Sequence, residues 1–375
     1  MGFAIPGRFS RLILSVLALL SFAASAHTQE APKSAKPPPP TVIGVVTSDQ
    51  SGTYLRIASD MAKVLDNPTT GMRILPISGD GSIQNVTDLL YLKGVDLAVV
   101  QSDVLAYIKN RKIHGGVSDR VSYITRLYNE EFHLVSRDKI TSVADLSGKR
   151  VNFGPEGSGS FLTATMVFKA LGVDVTPQTF DNDAALDKLK SGEIDAMAVV
   201  AGKPAPILQS IAPKSGLKLL AIDFSGPLTE TYLPASFTAK DYPGLVAHGK
   251  VETIAVGSVM AVFNWKTGTE RYERIRRFVD AFFGSFDGFA QPPRQAKWQE
   301  VNLAAELPGW NRYPPAQEWL ERNPQRAAQS PQDSEKLLTA FKAFLAASGD
   351  AQTLSASDQE ELFKRFLEWR AAGAQ

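Results

Sequence analysis

The 375 residues carry 44% hydrophobic and 21% charged side chains, an ordinary globular balance with enough chain for two domains. A formal net charge of +1 supplies neither the basic field that attracts nucleic acid nor the acidic field that attracts a cationic partner. No cysteine occurs, which excludes a disulfide framework, a thiolate metal site and a cysteine-borne lipid anchor.

At the start of the chain, Arg8 and Arg11 precede an apolar run from Leu12 to Phe22, and Ala24-Ser25-Ala26 puts small residues at the −3 and −1 positions of a cleavage site. The run is roughly half of the ~20 apolar residues that a membrane span needs. A secretory signal peptide over residues 1–26, cleaved near Ala26, is therefore expected, with the mature protein in the periplasm. Residues 27–40, with Pro32 and Pro37-Pro38-Pro39-Pro40, read as an extended proline-rich linker.

From Thr41 onward, apolar strand signals at 42–46, 72–77 and 95–100 alternate with helix-period segments at 53–66 and 83–92. In the first helical segment Ile57, Ala58, Met61, Val64 and Leu65 fall on one face. Strands alternating with helices imply a parallel sheet with helices packed on it.

Val121 to Leu127 and Phe132 to Val135 then form a near-continuous β-patterned stretch. After it the first order recurs: a short strand at 150–153 enters Gly154-Pro155-Glu156-Gly157-Ser158-Gly159-Ser160, followed by a helical stretch from Phe161 to Leu171. Gly94 to Val100 is echoed by Gly192 to Val200. A second β-patterned run, Ile254 to Phe263, follows this later half. The two runs read as strands that cross between domains. Lobe 1 is thus expected to comprise 41–137 plus 251–375, and lobe 2 to comprise 138–250. Beyond Trp265 helices are expected at 270–286, 316–322, 334–347 and 357–372, with Pro292-Pro293 and Pro314-Pro315 in irregular connections.

In open α/β sheets ligands sit beyond the carboxyl ends of strands, where loops lead into helix N-termini. The loop Thr47-Ser48-Asp49-Gln50-Ser51-Gly52-Thr53-Tyr54 occupies that position, as do Ser78 to Ser82, Gln101-Ser102-Asp103 and Gly154 to Ser160. Singly, such loops are more often caps and turns; together, at one end of similar units, they suggest a shared cleft. Hydroxyl and backbone donors at helix starts suit a small anion, with Thr53, Ser82, Ser158 and Ser160 as donors. Arg126, in a crossing strand, is the candidate for a bidentate carboxylate contact, ahead of Arg56.

Catalytic signatures are missing. The sequence has no Gly-x-Ser-x-Gly, His-Glu-x-x-His or Gly-x-x-x-x-Gly-Lys-Ser/Thr motif, and Ser215 with Lys218 stands without the companion motifs of penicillin-binding enzymes. His27, His114, His133 and His248 lack ligand spacing, and Asp181-Asn182-Asp183 reads as a helix cap. Neither metal nor cofactor is implied, and no enzyme is expected.

Gly52-Thr53-Tyr54, Gly81-Ser82 with Asn85, Asp96 to Asp103 with its Gln101, Gly154-Pro155 with Gly157-Ser158-Gly159, Ile194-Asp195-Ala196, and later Tyr232 with Phe237 to Gly244 resemble the TAXI family. Its members are extracytoplasmic solute-binding subunits of TRAP transporters. The resemblance spans about 41–265. It implies an α/β, two-lobed type II periplasmic-binding-protein fold closing on a small organic or amino-acid carboxylate, and delivery of that solute to a TRAP membrane permease. The ligand would then be bound by residues drawn from Gly52, Thr53, Tyr54, Gly81, Ser82, Asn85, Gln101, Asp103, Arg126, Gly157, Ser158, Gly159, Ser160 and Tyr232. Where the family often continues its tyrosine with an aromatic residue and proline, this chain has Leu55-Arg56, so the solute does not transfer. A binding protein serving a membrane sensor would share every cleft residue, and an enzyme on the same fold is the remaining alternative.

Overall fold

In the computed structural model, which describes residues 41–48 and 52–324, the strand and helix signals resolve in the expected order. The first half runs β1 (Thr41–Val46), α1 (Thr53–Leu65), β2 (Met72–Ile77), α2 (Ser82–Tyr91), β3 (Leu97–Gln101), α3 (Val104–Asn110) and α4 (Val117–Arg120). A long strand β4 (Val121–Arg137) leads into the second half. That half contains β5 (Arg150–Asn152), α5 (Gly159–Leu171), β6 (Thr176–Gln178), α6 (Asn182–Ser191), β7 (Ala196–Ala201), α7 (Pro206–Gln209), β8 (Leu217–Leu219) and β9 (Leu233–Thr238). Strand β10 (Lys250–Phe263) returns, and α8 (Glu270–Gly284) and α9 (Pro314–Arg322) follow. The expected signal segment, the linker 27–40 and the helices at 334–347 and 357–372 lie outside the described residues.

The strands form one path in the order β2-β1-β3-β10-β4-β7-β5-β6, with β9 paired to β10 and β8 to β4. Around β1 the neighbours β2 and β3 are parallel, and around β5 the neighbours β6 and β7 are parallel. Each parallel set is closed by an antiparallel partner, β10 beside β3 and β4 beside β7. The architecture is the expected two-lobed α/β fold of type II, in which β4 and β10 belong to both halves.

At the crossing β4 carries extra residues. Gly257 faces Asn129 and Val259 faces Arg126, so Leu127 and Tyr128 together oppose Ser258. A second irregularity follows between Met260 and Ala261. Bulges of this kind bend the strand and sharpen its twist.

Both faces of each half are covered, as a parallel sheet requires. The α1 stripe buries Ile57, Ala58, Met61 and Leu65 against α8, whose Phe278, Phe282 and Phe283 meet Trp298 and Phe289 in one cluster. Each such side chain contributes about 1.5–3 kcal/mol when fully buried. In the second half Ala164, Val167 and Phe168 of α5 pack with Phe132, Leu134 and Val151. Asp181 caps α6 as expected, its Oδ1 accepting the Ala184 N–H at 2.8 Å. Pro314-Pro315 departs from expectation: the pair opens α9 rather than interrupting the chain. A first-turn N–H has no acceptor within the helix and proline presets φ, so the helix loses nothing there.

Candidate functional site

The loops at the carboxyl ends of β1, β2, β3 and β5 converge where the halves meet. Gly52, extended at φ −75° and ψ 153°, precedes α1, and Tyr54 in the first turn is buried. Its hydroxyl donates to Glu130 Oε2 of β4 at 2.5 Å. Thr53 beside it is half-buried.

The start of α2 touches the start of α5. Ile83 N–H donates to Gly157 O at 3.2 Å, and a Cβ on Gly81 would lie 3.1 Å from Ser158 Cα. Gly159 lies directly against the Gln101 amide: a Cβ on it would sit 2.4 Å from Gln101 Oε1, so any larger residue there would displace that side chain. Gln101 is itself buried, its N–H donating to Ser82 Oγ at 2.9 Å. Just beyond, Asp103 Oδ2 accepts from Thr163 Oγ1 of α5 at 2.9 Å and from the Tyr232 hydroxyl at 3.2 Å. Burial pushes the Asp103 carboxyl up to about 7, against the pull of those two donors.

The crossing strand supplies the floor. Arg126 is buried at the bulge and its guanidinium donates to Asn129 Oδ1. Glu130 and Glu131 follow, both buried. Burial lifts Glu130 to about 8, outweighing the Tyr54 hydrogen bond and the Lys297 charge; burial also raises Glu131, countered by Lys297. Lys297 reaches in from the segment before α9, 3.6 Å from Glu131 Oε1 and 2.7 Å from Glu300 Oε1. The Lys203 N–H donates to Glu131 Oε2 at 2.8 Å. The buried Tyr128 hydroxyl has no partner among the described residues.

Of the residues singled out in the sequence, the fold thus brings together Gly81, Ser82, Gln101, Asp103, Gly157, Ser158, Gly159 and Tyr232, while Tyr54 and Arg126 lie at the crossing. Several hydroxyls already serve the backbone: Ser158 Oγ accepts the Phe161 N–H at 3.1 Å and Ser160 Oγ accepts the Val200 N–H at 2.9 Å. Asn85 is a brace, its Nδ2 donating to Thr47 O at 2.6 Å and Val99 O at 2.8 Å, which joins the ends of β1 and β3. Arg56 is exposed.

Sequence reasoning passed over Tyr128, Glu130, Glu131 and Lys297. Asn129-Glu130-Glu131 interrupts two apolar runs of one strand, and adjacent acids inside a β pattern were the available signal. Lys297 had none, because it stands in an aperiodic stretch whose place at the cleft depends on the packing of α8 and α9.

The family model described as NMT1-like matches residues 45–269, more than half of the chain. The chain belongs to the NMT1-like family. The matched span contains every residue of the converging loops and both crossing strands.

Among solved structures, this NMT1-like chain is similar to the alkanesulfonate-binding protein SsuA from Xanthomonas axonopodis pv. citri. The identity is 16%, covering 82% of this chain and 94% of that chain, with a TM-score of 0.44. It is similar to the periplasmic binding protein BugD at 16% identity, over 76% and 95% of the two chains, TM-score 0.44. A TctC solute-binding protein from Polaromonas matches at 17%, over 75% and 88%, TM-score 0.40. At these TM-scores the likeness carries no inference about what the NMT1-like chain binds.

Proposed function

We propose that this protein is an extracytoplasmic solute-binding receptor, exported to the periplasm, that captures a small carboxylated solute between two lobes and delivers it to a TRAP-type membrane permease. The observation that carries the reading is the convergence of strand-end loops from both halves at one junction, Gly81-Ser82 against Gly157-Ser158-Gly159 and Gln101-Asp103 against Thr163 and Tyr232. Ligands of open α/β sheets sit at such loop clusters. Lobe 1 spans 41–137 and the chain from 251 onward, and lobe 2 spans 138–250, with β4 and β10 as the hinge. The TRAP assignment rests on the TAXI-like motifs described above.

Arg126 is the residue proposed to hold the carboxylate, because a buried guanidinium offers a planar fork to such a group. The neighbouring acids do not oppose this. With its carboxyl raised to about 8, Glu130 is largely neutral at pH 7, and a neutral carboxyl donates a hydrogen bond to an oxygen anion instead of repelling it.

The protein is proposed to bind without turnover. Thermal-shift screening of the mature protein against organic acids, sulfonates and amino acids tests the reading, since a ligand that binds the native state raises its stability by mass action. Stabilisation by a carboxylate, recovered unchanged by mass spectrometry, supports it. A transformed product, or stabilisation only by neutral or cationic compounds, would reject it.

A further inference from the structure

The two halves are joined directly by side-chain hydrogen bonds. Asp103 stands at the carboxyl end of β3, one residue before α3. The groups that grip it come from the other half, Thr163 from α5 and Tyr232 from the segment before β9. All three residues are nearly or fully buried, with Asp103 and Thr163 at 1% exposure and Tyr232 at 4%. We propose that Asp103 is an interlobe catch: Thr163 and Tyr232 fasten to its carboxyl and hold the lobes together in the absence of solute.

The chemistry around the carboxyl makes this catch sensitive to protons. Oδ2 takes both hydroxyl donors, whereas Oδ1 is buried with no partner among the described residues. A buried carboxylate oxygen without a partner is costly, and a proton on the group removes most of that cost. The groups facing Asp103 are Thr163 of α5, Tyr232, Gln101 of β3, which accepts from the same Thr163 hydroxyl at 3.4 Å, and Glu130 of β4, whose ionisation the Asp103 charge opposes. When the lobes part, water reaches the carboxyl and its affinity for protons returns towards that of an ordinary aspartate. Closure therefore takes up a proton, and the closed form weakens as pH rises towards 7, by at most about tenfold in the closed-to-open ratio per pH unit.

The inference rests on the two-lobed hinge reading but not on any solute. The absence of native cysteine allows one label on each half, through Leu92→Cys on lobe 1 and Asp187→Cys on lobe 2, both at exposed positions. The distance distribution between spin labels is then recorded without solute at pH 5 and pH 8, in the parent protein and in Asp103→Asn, Tyr232→Phe and Thr163→Val/Tyr232→Phe. Each lost hydroxyl should lower the closed-to-open ratio by about three- to tenfold. The parent should open between pH 5 and 8, and Asp103→Asn, which cannot ionise, should give the same distribution at both. Tyr232→Phe keeps ring and volume, so its result stands if the double variant does not fold. Distributions of Tyr232→Phe that match the parent's at both pH values, or a parent-like pH response in Asp103→Asn, would overturn the catch. Because no solute is present, either outcome leaves the transport reading to be judged by the ligand screen alone.

Discussion

Tyr54, in the first turn of α1, and Glu130, in the crossing strand β4, are 76 residues apart in sequence and share a hydrogen bond of 2.5 Å. The bond ties the start of α1 to the crossing strand. It also fixes a carboxyl in a buried place, where its charge is disfavoured.

Stability should record that placement. Burial raises Glu130 from 4.5 to about 8, so between those pH values the native protein keeps a proton that the unfolded chain has lost. The group's contribution is therefore fully present below 4.5 and is lost as pH rises to 8. Glu130→Gln stays neutral. Relative to the parent it should gain up to about 1.4 kcal/mol per pH unit across that window. Urea unfolding at pH 5, 6.5 and 8 checks this, and parallel curves for the two proteins would contradict it.

Lys297 and Glu131 form an ion pair with side chains only 7% and 6% exposed. Lys297→Met should cost about 3–5 kcal/mol, because it strands Glu131 without a counter-charge in the interior. Adding Glu131→Gln should restore a large part of the loss. A double variant no more stable than Lys297→Met would mean that the lysine acts through packing alone.

His133 is buried in β4 between two partners. Its Nδ1 lies 3.1 Å from Val199 O and its Nε2 lies 2.7 Å from the Tyr242 hydroxyl, which accepts the Ala205 N–H at 2.7 Å. Burial lowers the imidazole to about 3 from 6.5, so the native state resists the proton that the unfolded chain takes up. The contribution is whole above 6.5 and is lost as pH falls from there towards 3. Acid unfolding followed by circular dichroism should show this, and Tyr242→Phe should cost about 1–3 kcal/mol at pH 7 by leaving the imidazole Nε2 and the Ala205 N–H unpaired. A neutral Tyr242→Phe would remove the argument.

For the solute found by screening, Arg126→Ala should lose about 2–5 kcal/mol of binding free energy, as expected when a buried charge-assisted contact is cut. Arg56→Ala should lose under about 1 kcal/mol, because Arg56 is exposed. Calorimetric titration separates the two. Near-parental affinity in both would reject the arginine clamp.

Local pattern was sufficient for the first alternating strands and helices. Periodicity placed β1, α1, β2, α2 and β3 close to their observed bounds, because an amphipathic helix or a buried strand writes its contacts into the spacing of its own residues. The repeated strand, glycine-rich loop and helix at β5 and α5 likewise made a second half legible, and Asp181 announced its cap. Pro314-Pro315 misled because proline both breaks helices and begins them, and only the chain after it decides which.

By itself, then, the sequence determined the alternating α/β halves, the two crossing strands and the polar loops at their ends. It left open what those loops touch. Tertiary structure decided that Gly159 lies against the Gln101 amide, that Asp103 meets Thr163 and Tyr232 across the junction, and that Lys297 reaches Glu131. The reason is physical. Periodicity reports the face a residue turns inward over neighbouring turns of chain, whereas burial of a charge depends on groups tens to more than a hundred residues away. Desolvation by those distant groups, rather than any feature of the local segment, moves Asp103, Glu130 and His133 from their ordinary proton affinities.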